Sequence, residues 1–104
     1  MRYPLVTNDI EFTRYTVSAP GTAQQFPNTA IKDGYKTVFK ARFANSGNFY
    51  IADTAANAQS TTGNRKVLEA GESITIEIDN LNRLFRDADN STDILEVTLT
   101  APSN

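Results

Sequence analysis

Histidine, cysteine and tryptophan are absent from this 104-residue chain, so any chemistry it performs must be built from carboxylates, hydroxyls, amines and phenols. Without imidazole there is no proton shuttle near neutral pH, and the commonest transition-metal ligand is missing. Without thiols, neither a disulfide framework nor a thiolate metal site can hold the fold, and no redox compartment can be inferred. A serine nucleophile would need a lysine as its base, and no Ser-x-x-Lys spacing occurs. Glu69, Glu72, Glu77, Asp79 and Glu96 could in principle supply the paired carboxylates of a glycosidase, the one hydrolase reading open to this composition. No spacing singles out two of them, and solvated charges on strand faces are their ordinary role. The run Asp87-Ala88-Asp89-Asn90-Ser91-Thr92-Asp93 carries oxygen ligands of the kind calcium takes, but it lacks the glycine and terminal glutamate of an EF-hand loop. It reads as a surface turn in which Asp and Asn bond the nearby backbone. The expectation is a protein that is not an enzyme, with no catalytic residue, metal or cofactor.

Recognition residues are the remaining candidates. Phe39, Phe43, Phe49 and Phe85 fall on the inward phase of extended segments and read as core, whereas Tyr35 and Tyr50 are less clearly inward. Tyrosine is enriched at interfaces, which makes Tyr35 and Tyr50, with Arg65 and Lys66, the candidate interface residues. The ten basic residues are dispersed and the net charge is −2, so no electrostatic footprint for nucleic acid is present. No apolar run approaches the roughly 20 residues of a membrane helix, and Met1-Arg2-Tyr3-Pro4-Leu5-Val6 lacks the apolar centre of a signal peptide. An aqueous location without a membrane partner is expected.

The elements that must position these residues follow a period of two, the spacing that returns side chains to one face of a sheet. In Ile74-Thr75-Ile76-Glu77-Ile78 the isoleucines point one way and Thr75 and Glu77 the other. Residues 94–100 repeat the pattern, with Leu95, Val97 and Leu99 inward. Residues 36–44 set Phe39, Ala41 and Phe43 against Val38, Lys40 and Arg42. Asn45-Ser46-Gly47 then suits a hairpin turn that pairs 36–44 with a strand at 48–53. Residues 10–18 form a further strand whose register is open, and Val67-Leu68 ends another before the turn Glu69-Ala70-Gly71-Glu72-Ser73. Around 81–86 the reading is a short turn, capped by Asp79-Asn80, followed by a strand. The segment 54–64 is small and polar and reads as a mobile loop or one ordered by a partner. No apolar stripe at helical spacing runs for three turns, so no substantial helix is expected.

Seven or eight short strands separated by turn signals about every eight to twelve residues predict one all-β domain spanning 1–104, an antiparallel β-sandwich of jelly-roll or Greek-key type. Residues 1–9 are a candidate extended N-terminal arm. A core this small gains from partner subunits, and a homo-oligomer is expected.

The ordered blocks Ile31-Lys32-Asp33-Gly34, Val38-Phe39-Lys40-Ala41, Asn45-Ser46-Gly47-Asn48-Phe49-Tyr50-Ile51-Ala52, Leu68-Glu69-Ala70-Gly71-Glu72-Ser73 and Ile76-Glu77-Ile78-Asp79-Asn80-Leu81 resemble small β-sandwich virion proteins of tailed bacteriophages. The likeness covers about the last two thirds of the chain. It implies a capsid-decorating or cement protein, or a head- or tail-associated one, whose partner is the major capsid protein or another virion protein. Its location would be the virion, and the host cytoplasm during assembly. The alternative within the same resemblance is a tail or fibre component binding a host receptor or carbohydrate. A non-viral adhesion or carbohydrate-binding module is the reading outside it.

Overall fold

In the computed structural model, which describes residues 10–101, eight strands form two four-stranded antiparallel sheets. The strands are β1 (Ile10–Tyr15), β2 (Gln24–Gln25), β3 (Lys36–Ala41), β4 (Phe49–Ala52), β5 (Lys66–Leu68), β6 (Ser73–Thr75), β7 (Phe85–Ala88) and β8 (Leu95–Thr100). One sheet has the order β1-β8-β3-β6 and the other β2-β7-β4-β5. First therefore pairs with last, second with seventh, third with sixth and fourth with fifth, which is a jelly roll. The arm expected over residues 1–9 lies outside the described residues.

The alternation read at 94–100 becomes β8, the central strand between β1 and β3, with Leu95, Val97 and Leu99 buried. Those residues meet Phe39 and Ala41 of β3, Phe49 and Ile51 of β4, Leu68, Ala88, Phe26 and Val17 in one apolar layer shared by both sheets. Phe26 stands edge-on to Tyr15 at 5.0 Å and to Phe39 at 5.6 Å between ring centres, geometries favoured by the ring quadrupoles. Ile74, Ile76 and Ile78 do share one side, half-buried against this layer. The ladder is shorter than the pattern suggests: β6 ends at Thr75, and the Ile76 N–H donates to the Thr37 carbonyl at 3.0 Å. The turn-then-strand reading of 81–86 also holds, since the Asn80 side chain caps a 3-10 turn at Leu81–Arg83 and β7 follows.

Four expectations are corrected. Asn45-Ser46-Gly47 does not make a hairpin: β3 pairs with β6 and β8, β4 with β5 and β7, and the 42–48 connection crosses between sheets. Phe43 is not core. β3 ends at Ala41, the Asn45 N–H closes a turn onto the Arg42 carbonyl, and Phe43 is left 83% exposed. In β7 the inward phase belongs to Arg86 and Ala88, paired with Ile51 and Phe49, so Phe85 is only half-buried. The segment 54–64 is folded on itself: Thr54 caps a single helical turn, α1 (Ala55–Ala58), and Ala58 is fully buried. Gln59 accepts from the Ala23 N–H, and Arg65 donates to the Ala58 carbonyl. A Cβ on Gly63 would lie 2.6 Å from the Asn57 carbonyl oxygen, so glycine is what lets this connection close.

Thr37, on the inner phase of β3 and fully buried, has a hydroxyl that finds no partner among the described residues. An unsatisfied buried hydroxyl costs free energy that an isosteric methyl does not. Thr37→Val should raise unfolding stability by about 0.5–1.5 kcal/mol in denaturant titration; a loss of stability would mean the hydroxyl is bonded after all.

Candidate interaction surfaces

Of the sequence-derived residues, the structure brings Tyr50 and Arg65 together. Tyr50 lies on the outward phase of β4, opposite Val67 of β5 and Asp87 of β7. The Arg65 guanidinium stacks over its ring at 3.6 Å, and its hydroxyl donates to Asp89 Oδ1 at 2.7 Å. Partial burial raises the Tyr50 phenol above its ordinary value, and the hydrogen bond and charge of Asp89 act in the same direction. Lys66 is exposed on the opposite phase of the edge strand β5, paired with Ile51. Tyr35 belongs to the other sheet, in the turn before β3, with the Lys32 ammonium 5.7 Å from its ring centre. It lines a shallow depression of about 390 Å³ with Ile31, Lys36, Glu77 and Ile78. The four residues therefore form no single interface.

The acidic run is a structural clamp. Asp93, only 4% exposed, accepts the backbone N–H groups of Ser46 at 3.1 Å and Gly47 at 2.8 Å, while Asp89 takes that of Asn48 at 2.8 Å. Asp87 accepts from the Gly21 N–H at 3.0 Å and from its neighbour Ala88. The bonding was expected to be local; most of it reaches across the end of the sandwich, to residues distant in sequence. A Cβ on Gly47 would sit 2.7 Å from Asp89 Cβ and from the Asn90 amide nitrogen, so the close approach requires glycine. Among the described residues no three acidic side chains are grouped to hold a metal ion. Three of the other candidate acids are also engaged: Glu96 pairs with Arg42 at 3.0 Å, Asp79 with Arg83, and Glu72 accepts its own turn's Glu69 N–H.

The residues that sequence reading missed are exposed apolar ones. Phe43 projects from the end of the sandwich where the β1–β2, β3–β4, β5–β6 and β7–β8 connections gather. That position is rigid. The Asn45 side chain bonds Ile94 through both its carbonyl and its N–H, the Asp93 clamp holds the next two residues, and the Phe43 ring rests beside Gly71, where a Cβ would be 3.2 Å away. Phe12, 77% exposed, and Ile10, 46% exposed, lie on the outward phase of β1. Period-two counting assigned Phe43 inward because it cannot see where a strand stops.

No protein-family model, curated protein or solved structure matches the chain. What the surfaces can do must be argued from their own chemistry.

Burial alone would raise the Asp93 carboxyl, but the Ser46 and Gly47 N–H groups, with the Asn90 amide and Ser46 hydroxyl, hold it below the usual carboxylate range. A depressed folded-state value contributes stability above the unfolded value near 3.9, and that contribution is lost as pH falls through the folded one. Asp93→Asn should cost about 1–3 kcal/mol at pH 7 and flatten the acid limb of the stability–pH curve. Parallel acid limbs for the two proteins would refute the clamp.

Proposed function

We propose that the chain is a structural attachment protein of a bacteriophage virion, binding the capsid surface in many copies and stabilising it. Its partner is the major capsid protein or another virion protein. The observation that carries this reading is Phe43, a large aromatic almost wholly in water on a turn whose backbone is clamped from several directions. An aromatic exposed on a tied-down backbone offers a partner contact area with little backbone ordering entropy still to lose. Buried aromatic anchors of this kind dominate binding energy in protein interfaces. Ala44, next to it in the chain, and Ala70, next to Gly71, are exposed as well. The virion assignment itself rests on the block resemblance. The matched turn residues Asn45, Gly47 and Gly71 all sit in the connections that build this tip.

The jelly roll is compatible with the reading, since the fold serves both capsid and lectin domains. A tail component binding a carbohydrate is the second reading, and the depression beside Tyr35, with Glu77 and Lys36 on its rim, favours it. Tyr35→Ala abolishing a glycan-array signal would support that reading over the first.

Phe43→Ser should leave unfolding stability within about 0.5 kcal/mol, as exposed substitutions do, while weakening co-sedimentation with capsids assembled without the protein by about tenfold or more. Undiminished binding, or capsids whose heat tolerance is the same with and without the protein, would remove the proposal.

A further inference from the structure

A jelly roll has four edge strands, and here they are unequal. β2, β5 and β6 are two or three residues long, whereas β1 runs for six. Natural sheets keep their edges from pairing with other chains by short strands, lysine, proline, bulges or inward-pointing charges. β1 is long and has no lysine, proline or bulge; its one such device is Glu11, on the inner phase opposite Leu99. Its sequence is Ile10-Glu11-Phe12-Thr13-Arg14-Tyr15, and its register with β8 runs without interruption from Ile10↔Thr100 to Tyr15↔Leu95. Ile10 through Arg14 are exposed on both phases of the strand, because the short β2 leaves the second sheet without a long strand opposite. Among the described residues β1 pairs only with β8, and no described segment bonds the N–H and carbonyl groups of its other edge.

We propose that this edge docks a second copy of the same chain, β1 against β1 antiparallel, fusing two four-stranded sheets into one of eight across a two-fold axis through Phe12. Side chains opposite each other in an antiparallel pair share a face, so with Phe12 on the axis it meets the partner's Phe12. Ile10 then meets the partner's Arg14, and Glu11 meets the partner's Thr13. The outward face gains an aromatic pair flanked by the aliphatic stems of the arginines, and no like charges lie directly opposite. The strand's charges, Glu11 and Arg14, are opposite in sign and on opposite phases, which suits self-pairing better than pairing with a strongly acidic or basic strand. Backbone hydrogen bonds supply the affinity, as in other strand additions. The proposal deepens the virion reading by naming how copies meet, and it stands on β1 whether or not that reading holds.

The chain has no cysteine, so one introduced thiol reports the axis. Phe12→Cys places two thiols within disulfide reach across the two-fold, whereas Thr98→Cys lies one strand further from it on each side. The expected result is rapid oxidative cross-linking of F12C with little for T98C. Sedimentation of the unmodified full chain should rise with concentration toward twice the 11.4 kDa monomer mass. Phe12→Lys, at an exposed position, should remain folded and monomeric, while F43S should still dimerise, so loss of capsid binding and loss of dimerisation are read separately. Equal cross-linking of the two cysteine variants, or a dimer that survives F12K, would overturn the proposal. So would a monomer whose β1 amides are protected from hydrogen exchange, because another segment would then occupy the edge.

Discussion

Six of the seven connections in this sandwich cross from one sheet to the other, and each must satisfy backbone N–H groups that have no ladder to join. The end bearing Phe43 meets that demand with charge. Asp93 and Asp89 between them accept three consecutive N–H groups of the β3–β4 connection, and the Asn48 carbonyl receives the Asp89 N–H in return. Charge-assisted bonds of this type are roughly twice as strong as neutral ones, and they tie the β7–β8 connection to the β3–β4 connection directly. β7 leads into central β8, and β3 and β4 each pair on two sides. One pair of carboxylates therefore fixes how the two sheets sit over their shared apolar layer.

A second polar group does related work along the side of the sandwich. Arg86 points into the interior from β7, yet none of its hydrogen bonds goes to a carboxylate. Its guanidinium lies 5.0 Å from the Tyr15 ring centre and 4.9 Å from that of Phe26, and it donates to the carbonyls of Thr16 and Gln25. Burial pushes the group below its ordinary value, partly opposed by Tyr15, but guanidinium stays protonated at any physiological pH. Stacking and carbonyl bonds offset the desolvation, with each ring contributing on the order of 0.5–2 kcal/mol. The groups it joins come from just beyond β1, from β2 and from the Phe26 connection. The weakest margin of the second sheet is thus held by a cation, where a two-residue ladder alone would be insufficient.

This arrangement explains what was legible in the amino-acid order. Alternation at Leu95, Val97 and Leu99 is a property of one strand and survives any choice of partner, so β8 could be read directly. Partner choice could not: the pattern of 36–44 and 48–53 fits a hairpin as well as a crossover. The side chains that decide between them, Asp89 and Asp93, lie more than forty residues downstream of the turn they hold. Phase fails where a polar group takes an inward position. Arg86 displaced Phe85 from the core because two aromatic faces and two carbonyls awaited its guanidinium. Segment 54–64 looked featureless because its order comes from a small buried alanine, a threonine cap and a glycine contact, none of which leaves a hydrophobic period. Of the interface residues, Tyr50 was legible because tyrosine favours interfaces; Phe43 was hidden by assuming that a phenylalanine in an alternating run faces inward, and Phe12 by a strand whose two phases are both mixed, which left its register open.

Phe43 and Phe12 occupy different places, and their combination has a consequence for valency. Phe43 extends from the end of the sheet at which Tyr15 pairs with Leu95, and Phe12 sits within β1 itself. Antiparallel pairing of two β1 strands sends their Tyr15 ends in opposite directions, so the two Phe43 tips of such a dimer stand at opposite extremities and neither is covered. A first tip engaging a repeating lattice then holds the second near a neighbouring site at an effective concentration that can reach the millimolar range for a short span. Individually weak contacts from a small apolar tip become lasting attachment when sites recur at the matching distance, and stay weak toward an isolated subunit. On the proposed reading, a protein of this size with one modest core would in this way distinguish an assembled surface from the free components that build it, without a large interface.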